Sequence, residues 1–156
     1  TTRSRYPFSE AVTIVISQTA EYALRIVVWL AGRHPRPQTT REIAAATRIP
    51  AGYLAKVLQI LGRGGLLHSQ RGLHGGFTLA RDPRGIAALD VVNVIDPIRR
   101  LGGCPLGLDE HGDRLCPLHQ KLDDAMAHVE AALAASPVAD LAQPAADAAE
   151  ACPGPH

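Results

Sequence analysis

Two cysteines twelve positions apart, Cys104 and Cys116, bracket the stretch CPLGLDEHGDRLCPLH, and His119 trails the second by three. Thiolate sulfur and imidazole nitrogen are good ligands for iron and zinc, and neighbouring thiols can also cycle between reduced and disulfide forms. The residues between the cysteines are mostly Gly, Asp, Leu and other turn-compatible or polar types, so the stretch reads as a loop. A metal site, a thiol switch, a disulfide and a loop without ligand function all fit this pattern. Three cysteines in 156 residues, an odd number, argue against a secreted disulfide framework and for a reducing, cytoplasmic setting. Cys152 lies far along the chain in an Ala/Pro-rich tail and reads as a bystander.

Elements on either side must position these ligands. Residues 17–33, SQTAEYALRIVVWLAGR, read as a helix capped by Ser17 and ended by Gly32 and Pro35. TTREIAAATRI opens with Thr39 and has Glu42 three positions later, a capping box. After the break at Pro50 and Gly52, AGYLAKVLQILGRGG places Leu54, Val57, Leu58 and Leu61 on one buried face and Tyr53, Lys56, Gln59 and Arg63 on the other. The period then shortens: LLHSQ and FTLAR are strand candidates joined by the glycine-rich RGLHGG. IAALDVVNVIDPI is a short amphipathic helix, and LHQKLDDAMAHVEAALAAS a long one with Leu118, Leu122, Met126, Val129 and Leu133 on one stripe. Such a narrow stripe suits packing on another helix, including its own copy in a second subunit. The tail, residues 142–156, is expected to be disordered.

Capped helix, tight break, second helix and glycine-tipped hairpin together describe a winged helix-turn-helix, a mainly α fold with a small β-hairpin wing and a long C-terminal dimerisation helix. Residues 16–86 form the winged unit and 87–141 the ligand loop with the dimerisation helix. The charge distribution gives that unit a polyanionic partner. Residues 1–86 carry twelve Lys and Arg against four Asp and Glu, whereas 87–156 carry four against eleven. The second helix would enter the major groove of double-stranded DNA and the hairpin would touch the backbone or minor groove. Lys56, Gln59, Arg63 and Arg71 then face one duplex, with Tyr53 at the start of the helix. Thr39 and Thr40 sit at a helix N-terminus suited to a backbone phosphate, and His74 lies in the wing turn. The alternative use of this fold is a protein-interaction module whose basic face meets an acidic partner.

Four stretches carry a family resemblance: AEYALRIVVWLA, TTREIAAATRIPAGYLAKVLQILGRGGLLHSQRG, GGFTLARDP with ALDVVNVIDP, and CPLHQKLDDAMAHVEAAL with VADLA. The chain resembles the Rrf-two family of bacterial transcription regulators, which includes IscR-, NsrR- and RirA-type cluster proteins and cluster-free CymR-type members. The resemblance spans residues 16 to about 142. It implies a homodimer reading a palindromic operator, paired through the long C-terminal helices. In cluster-binding members, three loop cysteines hold an iron–sulfur cluster, with a fourth ligand from a histidine after the last cysteine or an acidic residue on the partner's first helix.

By that resemblance Cys104 and Cys116 match the outer cysteines, His119 the histidine, and Glu21, just before YAL, the acidic position. The middle cysteine is replaced by Glu110, with His111 beside it. Two Cys, one His and one Glu suit a mixed-ligand two-iron, two-sulfur cluster better than a four-iron one. Zinc is the alternative cofactor, since Cys-x11-Cys-x2-His supplies three acceptable ligands. A Cys104–Cys116 thiol switch in a cluster-free regulator is the other reading. The expected function is a repressor sensing redox, nitric oxide or iron–sulfur status. No phosphate-binding glycine loop, nucleophile elbow or paired-carboxylate spacing points to an enzyme, and no apolar run reaches the ~20 residues of a membrane span.

Overall fold

A computed structural model of the chain describes residues 16–105 and 114–142. Its elements run α1 (Gln18–Ala31), α2 (Thr40–Thr47), α3 (Ala51–Arg63), β1 (Leu67–Gln70), β2 (Gly76–Leu79), a 3₁₀ turn at Pro83–Gly85, α4 (Ala88–Ile95), α5 (Pro117–Ala134) and α6 (Val138–Leu141). The mainly helical fold with a two-stranded wing is the one the sequence leads to. The expected tail falls almost wholly outside the described residues, as do Glu110, His111 and Cys152.

Local chemistry sets the boundaries. Ser17 accepts the Ala20 amide at 3.2 Å and starts α1. At α2 the Thr39 hydroxyl accepts the Glu42 amide at 3.2 Å while the Glu42 carboxylate accepts the Thr39 amide at 2.7 Å. These reciprocal bonds satisfy two donors that the helix start would leave unpaired. Arg48 closes α2 in the left-handed region at φ 56°, and Pro50 resets the chain for α3. The break between the two helices is therefore tight, as a helix-turn-helix requires.

The core gathers Ile26, Val27 and Leu30 of α1, Ile43 of α2, Leu54, Val57 and Leu61 of α3, and Leu66 and Leu79 around the hairpin. Ile86, Val91 and Val138 belong to the same cluster, so the segment after the wing packs onto the winged unit itself. The short α6 is an element the sequence reading did not separate. Its Val138 is fully buried, and Val138 N donates to Ile86 O at 2.9 Å, fastening α6 back onto the segment that leads into α4.

The wing is stapled at its base. Leu67 pairs with Leu79 and Gln70 with Gly76 in antiparallel register. Gln38, in the α1–α2 connection, exchanges two further bonds with Phe77, at 2.8 and 2.9 Å. Gly76 makes that close approach possible: its φ is +151°, and a Cβ there would collide with the Gln38 carbonyl. Gly76→Ala is expected to cost about 2 kcal/mol or more by strain and steric conflict. Calorimetry should show a melting temperature lower by roughly 5–10 °C, whereas Gly52→Ala, in α3 with open space around its Cβ, should not lower it and should raise it by a few degrees at most.

Candidate metal centre and nucleic-acid interface

The three candidate ligands of the loop converge. The Cys104 and Cys116 sulfurs and a His119 ring nitrogen all lie within 4.8 Å of one another. His119 Nδ1 is 3.0 Å from Cys116 Sγ and 3.6 Å from Cys104 Sγ, placing the imidazole between the thiols. The cysteines are not joined by a disulfide. Cys116 is the N-cap residue of α5, with Pro117 at the first helical position, where its missing N–H costs nothing. Gln120 N donates to Cys116 O at 2.8 Å, so Cys116 and His119 are fixed on one helical turn. Cys104 comes from the segment after α4 and must be brought to them.

Two sulfurs and one imidazole nitrogen, gathered in one partly buried place, fit zinc or iron by donor type. A tetrahedral metal with bonds of roughly 2.0–2.3 Å sets its donors about 3.3–3.8 Å apart, a spacing that the two S···N distances of 3.0 and 3.6 Å lie close to, with every pair within 4.8 Å. Glu21 is not in this group within one chain. It lies in the first turn of α1 and its carboxylate is held by Arg25, one turn on. To ligate a metal it would have to leave that partner.

Sequence reasoning missed the group that holds the ligand segment. Asp123, one turn beyond His119, is 6% exposed and is the buried residue of α5. It accepts Arg100 Nε at 2.8 Å, Arg100 Nη2 at 2.6 Å and Leu101 N at 2.9 Å. The Arg100 fork, then the Leu101 amide, hold its carboxyl down at about 2, so it stays ionised at any working pH. An Asp in a run of charged residues carries no sequence signal for this; only Arg100 coming from 23 residues earlier creates the site.

The second surface is basic. Lys56, Gln59 and Arg63 are exposed along α3, opposite the buried Leu54, Val57, Leu58 and Leu61. Gln59 and Arg63 line a shallow groove shared with His68 and Ser69 of β1, two polar residues not singled out from sequence. Arg71 and His74 are exposed on the wing, flanking Leu73, which is 96% exposed at its tip. Tyr53 is placed differently. Its hydroxyl is 2.6 Å from Thr19 Oγ1 and its ring stands edge-on to Tyr22, tying α3 to α1. The Thr39 amide and hydroxyl are both engaged by Glu42, whose charge lies where a phosphate would approach; exposed Thr40 stands beside it.

The third surface is the outer side of α5. Leu118 is 63% and Leu122 51% exposed, and Met126, Val129 and Leu133 continue the stripe half-buried. Among the described residues no helix is long and apolar enough to cross a membrane.

A family model described as Rrf2, iron-dependent transcriptional regulator, matches residues 16–144. The HTH-type transcriptional regulator NsrR of Geobacillus kaustophilus is 30% identical over 132 residues, covering 81% of this chain and 88% of that protein. The solved structure of CymR, the global cysteine regulator of Bacillus subtilis, superimposes with a TM-score of 0.70 at 26% identity, covering 83% of this chain and 96% of that one. T. potens IscR gives a TM-score of 0.70 at 23% identity over 92% of this chain and 95% of its own, a likeness of fold.

Proposed function

The chain belongs to the Rrf2 family of helix-turn-helix transcriptional regulators, and from that premise we propose that it is a homodimeric repressor whose grip on a palindromic operator is set by a metal centre at Cys104, Cys116 and His119. The convergence of those three donors within 4.8 Å carries the reading. An iron–sulfur cluster is the favoured occupant, with two irons rather than four, because the donor set is poor in thiolate. Glu21 of the partner subunit would complete it, exchanging Arg25 for iron. Bound there, the cluster supplies one-electron redox chemistry and reactivity toward nitric oxide or oxidants. The chain's own residues do the rest: Cys116 and His119 fix the ligand geometry to the start of α5, and Cys104 links it to α4 and so to the winged core. Zinc in the same donor set is the alternative metal. The proximity of the two sulfurs also supports a second reading, a cluster-free regulator switched by a Cys104–Cys116 disulfide.

Anaerobic purification followed by absorption spectroscopy and iron, sulfide and zinc analysis distinguishes these readings. Colour with stoichiometric iron and sulfide supports the cluster. A colourless zinc-loaded protein, or a metal-free one whose DNA affinity changes on oxidation, selects zinc or the thiol switch.

DNA reading rests on Lys56, Gln59 and Arg63 of α3 in the major groove, with Arg71 and His74 of the wing on the backbone or minor groove and Thr40 near a phosphate. Tyr53 and Thr39 serve chiefly by orienting the elements that carry them. This reading includes a cytoplasmic location, where the duplex is. Arg71→Ala, which removes one arginine from each wing of the dimer, is expected to weaken binding to the operator about tenfold per subunit and to make the dependence on log salt shallower by about two. Anisotropy titrations between 50 and 200 mM salt would show it, and an unchanged slope would take the wing off the phosphates.

A further inference from the structure

We propose that the Arg100–Asp123 pair is a positioning device that presents Cys104 to Cys116 and His119, setting how readily the three act together. The proposal rests on the reading of those side chains as one centre. It starts from an oddity of packing: the buried residue of an 18-residue helix is a carboxylate. Burying a charge is costly unless it is fully paired, and two apolar residues would usually pack an interface as well. What a bidentate fork adds is direction. Arg100 presents two parallel N–H bonds and Leu101 a third from the backbone, so the segment is fixed in both place and orientation.

The connectivity turns that fixation into ligand placement. Leu101 precedes Cys104 by three residues, a tether of about 10 Å at full extension. Asp123 follows His119 by four, about 6 Å along the helix axis and on nearly the same face. The fork therefore pins the Cys104 segment to α5 about one turn from His119 and two turns from Cys116. With the fork broken, the nearest helical anchor on that side is Ile95, the end of α4, nine residues from Cys104 and about 30 Å at full extension. The covalent connection to Cys116 would still limit the separation, but by chain length alone, which corresponds to about millimolar effective concentration. Arg100 is held in turn by Glu130, 3.8 Å from Nη1 and two turns along α5, which keeps the guanidinium along the helix.

Thiol–disulfide equilibrium measures this placement without any metal. In a Cys152→Ala background, the two thiols of the full-length chain react with one oxidised glutathione to give the Cys104–Cys116 disulfide and two reduced glutathiones. Two electrons pass from the chain to glutathione, whose sulfurs take up the two protons. The equilibrium constant is the effective concentration of one thiol at the other, read by alkylation and mass spectrometry. Asp123→Asn keeps the shape and an acceptor for Leu101 N but removes the charge; Arg100→Gln removes the fork from the other side. Each should lower the effective concentration at least tenfold, with Arg100→Lys intermediate. Cobalt(II) affinity, titrated anaerobically through thiolate-to-metal absorption, should fall by a factor of about 10–100 in the same variants. Should Asp123→Asn fail to fold by circular dichroism, Arg100→Gln decides. Values within twofold of the parent in a folded variant overturn the positioning role. A parent chain that shows only millimolar effective concentration and no cobalt binding sinks the centre itself, a separate failure that takes this inference with it.

Discussion

Cys116→Ala should strip the metal centre from the chain while leaving α5 folded. Cys116 makes no side-chain cap bond to the helix, so alanine removes a ligand without removing a cap. Its 8% exposure means that a small buried volume is lost, a cost of about 1 kcal/mol. Its chemical cost is far larger. The sulfur shares His119 Nδ1 with Cys104, and deleting it leaves one thiolate and one imidazole within one chain. Altering even an outer-shell group typically costs 10–100-fold in metal affinity, so losing a direct ligand should exceed about 100-fold. Metal content by elemental analysis after anaerobic purification should fall from stoichiometric to near zero, with an unchanged far-ultraviolet circular dichroism spectrum. Metal retained at the parent level would place the centre elsewhere.

Leu122→Arg should give a folded monomer. Leu122 and Leu118 are more than half exposed in the single chain, on a helix whose adjoining side, about 100° round from Leu122, is anchored by Asp123. Burying a leucine fully contributes about 1.5–3 kcal/mol, and in a two-fold interface each substitution counts twice. A charge at that position therefore removes about 3–6 kcal/mol, a factor of roughly 10²–10⁴ in the dimer constant. Sedimentation velocity at micromolar concentration should show one species at 16.6 kDa instead of a dimer of parent chains. Affinity for a two-half-site duplex should fall with it, because the second winged helix would no longer be delivered by the first. A variant that remains dimeric would assign the interface to another face.

The winged unit was legible because each of its signals is local. The Thr39–Glu42 box, the Pro50 break, the leucine periodicity of α3 and the glycines of the wing all act within a few residues, and each is where the sequence puts it. The candidate trio of Cys104, Cys116 and His119 could be picked out by residue type and spacing, though its convergence depends on how the chain returns from α4. What was not legible is long-range. Arg100 meets Asp123, Thr19 meets Tyr53, and Val138 closes onto Ile86 only after the helices have packed. Tyr53 shows the cost of reading one helix alone: its position on the polar face of α3 suggests a free side chain, whereas α1 supplies a hydroxyl and an aromatic edge to hold it. A stretch such as KLDDAMAHVE likewise offers no means of telling which of Asp123 and Asp124 turns inward.

The most direct measurement is the affinity of the full-length chain, with its centre intact and after chelation, for a duplex selected by that same protein from a randomised pool. Both titrations are run anaerobically at one fixed salt concentration. The affinities should differ by about tenfold or more, within the range of ordinary allosteric coupling, and the difference should vanish in Cys116→Ala. Equal affinities in the two states, or a difference that survives the loss of Cys116, would contradict control of DNA binding by this centre.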